Sequence, residues 1–208
     1  MLQALREPLE DRVISIVRAD GPVQLPAEFQ LILSANSCRC GRLGVQDIDN
    51  PCLCSQDEVN RYWRKFGGAL LDRVEIRVAV LPPKIQEMSM KTKTQIDKHE
   101  EKSSIIASRV KIAAQIQNKR FKETGIRRNA LIPAGKIAFM CPMNEKAENA
   151  FHTAISKLGL SGRAYHGILR VARTIADLEG KEVIETEHIL EAVYHRRLGD
   201  DPWDILSV

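Results

Sequence analysis

No run of eighteen apolar residues occurs in this 208-residue sequence, so no segment is long and apolar enough to cross a bilayer as a helix. The opening residues MLQALREPLEDR have no basic flank, no apolar stretch and no small-residue cleavage site, which argues against a secretory leader. The cytoplasm is the expected compartment, with no membrane partner. Catalytic signatures are missing too: neither Gly-x-Ser-x-Gly nor His-Glu-x-x-His is present, and the histidines at 99, 152, 166, 188 and 195 are scattered, most of them reading as surface residues. A phosphate-binding loop requires Gly-x-x-x-x-Gly-Lys-Ser/Thr. Two Gly-Lys pairs occur, Gly135-Lys136 and Gly180-Lys181, but Ala130 and Ile175 stand where the first glycine belongs, and Ile137 and Glu182 where the hydroxyl belongs. No apolar strand ends in an Asp-Glu pair that could hold Mg²⁺. These residues alone therefore lack the parts that grip a nucleoside triphosphate. Repeats and low-complexity tracts are absent as well.

What remains is an ordinary globular composition, 44% apolar with a net charge of +4, enough for one sizeable domain or two small ones. So small a net charge does not mark the whole chain as a nucleic-acid binder. Its distribution is uneven. Residues 103–128 hold Arg109, Lys111, Lys119, Arg120, Lys122, Arg127 and Arg128 against Glu123 alone. A solvated helix face and a contact for an anionic partner are both open readings of that run.

LQALREPLE, with Leu2, Leu5 and Leu9, predicts a leading helix. β-Branched residues on both sides of Asp20-Gly21 then predict a hairpin from Val13 to Leu25 with Arg18 close to its tip. FQLILSA, residues 29–35, is a near-continuous apolar run, as expected of a strand buried on both faces of a parallel sheet. Asn36 follows at its carboxyl end, where ligands bind in open α/β sheets. Residues 56–66 predict a helix stopped by Gly67-Gly68, and the second half of LLDRVEIRVAV alternates like a half-exposed strand that Pro82-Pro83 ends.

Residues 84–102 are charged, without sustained period, and read as a linker. From Ser103 onward the pattern is helical throughout. A wheel over 105–117 gathers Ile105, Ile106, Val110, Ile112, Ala113 and Ile116 on one arc that also contains Arg109, whose burial would call for a carboxylate or an anionic ligand. The clearest helix runs from Gly162 to Glu179, with Ser161 as N-cap and Gly180 as its stop. Ala164, Ile168, Val171, Ala172 and Ile175 form its core face, and Arg163, Arg170, Thr174 and Asp177 the opposite one. Arg163 lies in the first turn, where the dipole disfavours a cation unless an anion docks there. Solvated arginine and anion ligand are both open on these grounds. A last helix starts at Thr186 and ends in His195-Arg196-Arg197.

Cysteine supplies the strongest chemical signal. Cys38 and Cys40, then Cys52 and Cys54, form two Cys-x-Cys pairs separated by eleven residues with two glycines and a proline, enough to fold one pair back on the other. In a reducing compartment such clusters are metal ligands or reactive thiols rather than disulfides. Four thiolates would satisfy structural Zn²⁺ in tetrahedral geometry; free or redox-active thiols are the alternative. Cys141 stands alone and reads as a buried apolar side chain.

In order, ALREPLEDRVISIVRADGPVQLPAEFQLILSAN, CRCG with CLCS, RYWRKFGGALLDRVEIRVAV, LGLSGRAYHGILRVARTIADLEG and HILEAVYHRR resemble the magnesium-chelatase-like AAA+ ATPases of the ComM (YifB) family. The register holds over nearly the whole chain, with the linker and residues 127–150 matching poorly. The hairpin and the LLDR segment are also similar to those of minichromosome-maintenance helicases. The resemblance implies a role for each candidate. Asn36 matches sensor 1, which orients the attacking water near the γ-phosphate. Arg73 matches the arginine finger, acting in trans on nucleotide held by a neighbouring subunit. Arg163 matches sensor 2, reaching the ATP phosphates from the lid. Arg18 lies at the tip of the pre-sensor-1 hairpin, which touches the DNA backbone in related helicases. The cysteines match a family Cys-x-Cys-Gly … Cys-x-Cys pattern, consistent with a metal-bound insertion. Ser37 replaces the family's usual proline after the sensor asparagine. The Lon-like domain, phosphate-binding loop and acidic pair that precede these segments in the family have no counterpart in these residues.

The expected fold is therefore mixed α/β: the C-terminal portion of an AAA+ core over residues 1–83 with a Cys-rich insertion at 37–55, the linker, an all-helical lid over 103–199, and a tail at 200–208. The expected function is that of the C-terminal fragment of a motor that in intact form is a hexameric ring using ATP and Mg²⁺ to remodel DNA, by helicase action or branch migration in natural transformation. By itself the chain is expected to be inactive. A truncated gene, a shifted frame or a misplaced start codon would each produce such a fragment. An accessory that docks on a complete ATPase and offers Arg73, and a zinc-containing DNA-binding module using Arg18 and the basic helix, are the alternatives. With half of a doubly covered sheet missing, the FQLILSA strand would be left exposed and the isolated chain poorly soluble.

Overall fold

The computed structural model describes residues 2–45, 49–80 and 101–197. These described residues form two compact units, one within 2–79 together with Arg197 and one within 80–196. Of the expected linker only 101 and 102 lie within the described residues, and the expected tail lies outside them.

In the first unit, a 3₁₀ turn at Leu2–Leu5 leads into α1 (Arg6–Asp11), which buries Pro8. Arg12 takes the left-handed conformation at φ 58° and its N–H returns to the Pro8 carbonyl, ending the helix. Strands β1 (Val13–Arg18) and β2 (Gly21–Pro26) then pair antiparallel, Val13 opposite Pro26 and Arg18 opposite Gly21. The predicted hairpin is present, with Arg18 at its end and Ala19-Asp20 as the turn.

The two other expected strands are not. Residues 27–36 make no ladder, and Phe29, Ile32 and Leu33 are exposed rather than buried on two faces. Residues 74–80 are likewise outside any ladder, with Ile76, Val78 and Val80 toward solvent. An apolar run becomes a buried strand only when neighbours cap its N–H and C=O groups and cover its side chains, and the described residues supply neither.

α2 (Gln56–Trp63) opens with a capping box: the Ser55 hydroxyl accepts the Glu58 N–H at 3.3 Å while the Glu58 carboxylate accepts the Ser55 N–H at 2.9 Å. It stops three residues short of the expected end, and turns carry the chain to Gly67. There φ is +72°, and an added Cβ would lie 2.3 Å from the Gln3 amide, whose nitrogen donates to the Phe66 carbonyl. The positive φ is what glycine at 67 answers; a side chain there would also have to displace the Gln3 amide. The one-turn helix α3 (Gly68–Leu71) follows, with Leu70 fully buried.

The described residues of the second unit form helices and turns, with an isolated parallel bridge between Met143 and Ile184. α4 (Ser103–Phe121) passes through two 3₁₀ turns, Asn129–Leu131 and Ala134–Lys136, to α5 (Ile137–Met140). α6 (Glu145–Leu158) is capped by Asn144, whose side chain accepts the Ala147 N–H, and closed by Gly159 in the left-handed region. α7 (Gly162–Leu178) has the predicted Ser161 cap and a following Gly180 at φ +72°, and α8 (Thr186–Arg197) completes the unit. α7 is the central element. Its Ile168, Leu169, Ala172 and Ala176 pack with Ile132, Phe151, Ile184 and Ile189 in one core, each fully buried Leu or Ile contributing about 1.5–3 kcal/mol.

Two expectations for the helices are corrected. The arc on α4 is largely exposed at Ile105, Ile106, Val110 and Ile112, and Ala113 alone of that stretch is buried. Arg109 is therefore not a buried cation; it pairs in solvent with Glu101 at 2.7 Å. On α7, Asp177 does not face water. It is fully buried along with Arg173 and Asn129. Arg120 grips both carboxylate oxygens of Asp177 and donates to the Asn129 amide oxygen at 3.1 Å, Asn129 donates to Asp177 at 2.8 Å, and Arg173 donates to it at 3.2 Å while also capping the carbonyls of Lys181 and Glu182. The basic run at 103–128 is thus not uniformly solvated. Removing the carboxylate strands two guanidinium groups, so Asp177→Ala should cost about 3–5 kcal/mol. Thr174→Val, which deletes a neutral contact to Asn129, should cost about 1 kcal/mol, a contrast readable from thermal or urea melts.

Candidate functional site

The cysteine pairs are brought together by a compact loop seated on α2. Its chain reverses twice, at Gly41 (φ +78°) and Gly44 (φ +85°), with N–H to C=O bonds from Gly41 to Cys38 and from Val45 to Arg42. The Trp63 indole on α2 donates to the Ser37 carbonyl at 2.9 Å, and Cys38, Leu43 and Val59 form a small core that Cys52, Cys54 and Trp63 flank. Cys54 immediately precedes the Ser55 cap, so the capping box also fixes the second Cys-x-Cys.

The result is four converging sulfurs. Cys38 Sγ lies 3.3 Å from that of Cys40 and 3.7 Å from that of Cys52, Cys40 and Cys52 are 3.6 Å apart, and all four fall within 4.8 Å of one another. These separations exceed the S–S bond of about 2.05 Å, and none of the four is in a disulfide. Zinc–thiolate bonds of about 2.3 Å arranged tetrahedrally place sulfurs about 3.8 Å apart. The donor set fits Zn²⁺ in number, element and spacing.

The thiols are electrostatically unlike. Burial works against ionising Cys38, but hydrogen bonds from Cys40 and from the backbone N–H groups of Leu43 and Arg42 outweigh it and lower its pKa to about 6. Burial raises Cys52 to about 12, and its sulfur neighbours add to the shift. Cys54 is also raised: a bond from the Cys40 backbone favours its thiolate, yet the crowding Cys40 and Cys38 sulfurs prevail. Burial and the neighbouring sulfurs thus oppose ionisation at Cys52 and Cys54, and a divalent cation at the centre would favour the thiolates instead.

Asn36 is exposed at the base of this loop, its side-chain amide 3.6 Å from where a Cβ on Gly41 would stand. Arg73 follows α3. Its guanidinium donates to the Ala69 carbonyl at 2.6 Å and pairs with Glu10 of α1, leaving the side chain 11% exposed. Arg18 is exposed at the hairpin end. In the second unit Arg163 is exposed in the first turn of α7, which has no acidic residue there. Of the designated residues, then, the cysteines are brought together, and Asn36, Arg18, Arg73 and Arg163 each have their own surroundings. Sequence reasoning missed the Trp63–Ser37 bond and the Glu10–Arg73 pair, which join residues 26 and 63 positions apart.

Residues 1–90 match the family Magnesium chelatase, subunit ChlI, and residues 100–196 match Magnesium chelatase, subunit ChlI C-terminal. Competence protein ComM of Haemophilus influenzae is 34% identical over 199 residues, which cover 95% of this chain and 36% of that protein. An uncharacterized protein of Mycobacterium tuberculosis is 33% identical over 198 residues (95% and 37%), and YifB of Escherichia coli 31% over 198 residues (95% and 36%). The chain belongs to the magnesium-chelatase-like ComM/YifB family. It spans little more than a third of the length of these relatives, 36% in the case of ComM.

Cys141 is not among the four clustered cysteines. It is buried in the helical core, and that burial pushes its thiol up to about 11. It should therefore resist alkylation by iodoacetamide at neutral pH until the unit unfolds, whereas the exposed Cys40 of the metal-free chain should react first. Peptide mass mapping of a labelling time course checks the order.

Proposed function

We propose that this chain supplies the assisting half of an AAA+ motor site, acting on ATP held by a phosphate-binding loop outside these 208 residues and driving remodelling of DNA by a ring assembly. The observation that carries the reading is the 34% identity to ComM over 95% of the chain; Asn36 after the apolar run, Arg73 after α3, and Arg163 in the first turn of α7 are the polar residues to which it lends a role. Asn36 orients water as sensor 1, Arg163 reaches phosphate as sensor 2, and Arg73 is the finger offered to a neighbouring subunit. The Glu10 pair and the Ala69 carbonyl hold that guanidinium in one place, which suits a group whose role is positional. Arg18 contacts nucleic-acid backbone. Cys38, Cys40, Cys52 and Cys54 hold a structural zinc ion, which stiffens the loop behind Asn36 and takes no part in hydrolysis.

The chain alone should show no ATP turnover above background. Mixed with a full-length family member whose own finger arginine has been replaced, it should restore hydrolysis, and Arg73→Ala should remove about 10³-fold of that restored rate. Restoration that is indifferent to Arg73 would sink the finger assignment. The same mixture tests the accessory reading, since an accessory that docks on the complete ATPase and offers Arg73 should co-purify with it.

Zinc should be present at one ion per chain, be lost in Cys38→Ser and Cys54→Ser, and survive Cys141→Ser. Its removal by a chelator should lower the melting temperature, because the loop's small core cannot hold four crowded thiols unaided. Elemental analysis beside the melt decides it.

A further inference from the structure

The end of α2 and the turn after it concentrate three aromatic and three basic residues, Arg61-Tyr62-Trp63-Arg64-Lys65-Phe66, with no acidic residue among them. The rings form one cluster. Tyr62 and Phe66 have centroids 5.7 Å apart, Trp63 and Phe66 5.5 Å, and Tyr62 and Trp63 6.4 Å. All three remain half-exposed, while Arg61, Arg64 and Lys65 are exposed. The Lys65 ammonium stands 6.0 Å from the centre of the Tyr62 ring. Trp63 is tied to the cysteine loop through Ser37, so the platform is held in place before any ligand arrives.

A favourable helix dipole accounts for a cation in the last turn of α2. It does not account for half-exposed rings interleaved with cations that continue past the last helical residue. The two acidic residues of α2, Asp57 and Glu58, lie at its opposite end, and Glu58 is committed to the capping box. The surface is therefore cationic and aromatic at once, which suits a ligand offering anions and flat apolar faces in alternation. Nucleic acid has that chemistry. In a duplex the base faces are stacked on one another, leaving only phosphate for the cations, whereas unpaired bases expose the faces that rings can cover.

We propose that the Arg61–Phe66 surface binds single-stranded nucleic acid, with unpaired bases stacking on Tyr62 and Phe66 and with Arg61, Arg64 and Lys65 meeting the phosphates. The inference rests on the nucleic-acid part of the reading above and adds a contact separate from Arg18.

Fluorescence anisotropy of the full chain with a labelled oligothymidylate of roughly 16 nucleotides, and with a duplex of equal length, tests it. Tyr62→Leu should weaken single-strand binding about tenfold and leave duplex binding within roughly twofold. The Arg64→Ala/Lys65→Ala double variant should weaken both and reduce the single-strand logarithmic salt slope by roughly 1.4. Circular dichroism and zinc content confirm that each variant is folded. If Tyr62→Leu fails that check, Lys65→Glu, a change at an exposed side chain, replaces it, with about a tenfold loss of single-strand affinity expected.

Unchanged single-strand affinity in the Tyr62→Leu and Lys65→Glu variants, with Arg18→Ala abolishing binding, overturns this surface and leaves the wider reading standing. No binding by the unaltered chain at low salt overturns both. Tripolyphosphate that displaces the oligonucleotide equally well from the unaltered chain and from Tyr62→Leu shows a site for phosphate alone, and that too overturns the stacking role.

Discussion

The carboxylate of Asp177 is the interaction on which the helical unit depends. A fully buried anion is tolerable only if every lone pair is met, and here two guanidinium groups and an amide meet them. The partners come from separate pieces of chain: Arg120 from the end of α4, Asn129 from the 3₁₀ turn, and Arg173 from α7, which in turn holds the loop at Lys181 and Glu182. One charge thus sets the register of four segments that apolar packing alone would leave free to slide. It also explains why α4 can expose its apolar arc. The helix is anchored at its far end, through Ala113, Arg120 and Phe121, and the turns that carry Ile105, Ile106 and Val110 need no partner for the anchor to hold.

The first unit is built on a different constraint. Its described apolar runs, at 27–36 and 74–80, join no ladder and contain no buried residue, so hydrophobic burial contributes little there beyond the neighbourhoods of Pro8, Leu70 and Val59. Order comes instead from short polar devices: the Ser55–Glu58 capping box, the Trp63–Ser37 bond, the Gln3–Phe66 bond and the Glu10–Arg73 pair. The convergence of four sulfurs belongs with these. The four sulfurs offer a donor set that fits a tetrahedral cation, and such an ion would favour the thiolate form that burial opposes at Cys52.

What could be read from sequence divides along the same line. Features set by neighbours in the chain were legible: the hairpin around Asp20-Gly21, the Ser161 cap with its Gly180 stop, and the meeting of Cys38 and Cys40 with Cys52 and Cys54, which needs only a loop able to turn. Features set by distant residues were not. FQLILSA has the composition of a buried strand, but strand formation is a property of a pair, and no composition reveals whether the pair is there. On the wheel Asp177 falls opposite the core face, on the side of Arg163, Arg170 and Thr174, yet it is fully buried. The i,i+4 spacing of Arg173 and Asp177 was visible, yet their burial follows from Arg120 and Asn129, 57 and 48 residues away.

The candidate motor residues show how these devices bear on function. Catalysis by a sensor or a finger is a matter of placing one polar group within a fraction of an ångström, so its value depends on what holds it. Asn36 is held by a loop pinned to α2 through Trp63 and the cysteine cluster. Arg73 is held by Glu10 and by the backbone of α3, whose start requires Gly67. Arg163 rides on α7, whose first turn is capped by Ser161 and whose last turn carries the buried Asp177. Each candidate group thus has a local structural support of its own. Arg18 is the exception: it stands on a two-stranded ribbon whose Val17, Val23 and Leu25 are exposed. A hairpin so lightly tethered suits a group that follows a moving polymer, where compliance helps, better than one that stabilises a transition state, where it would cost rate.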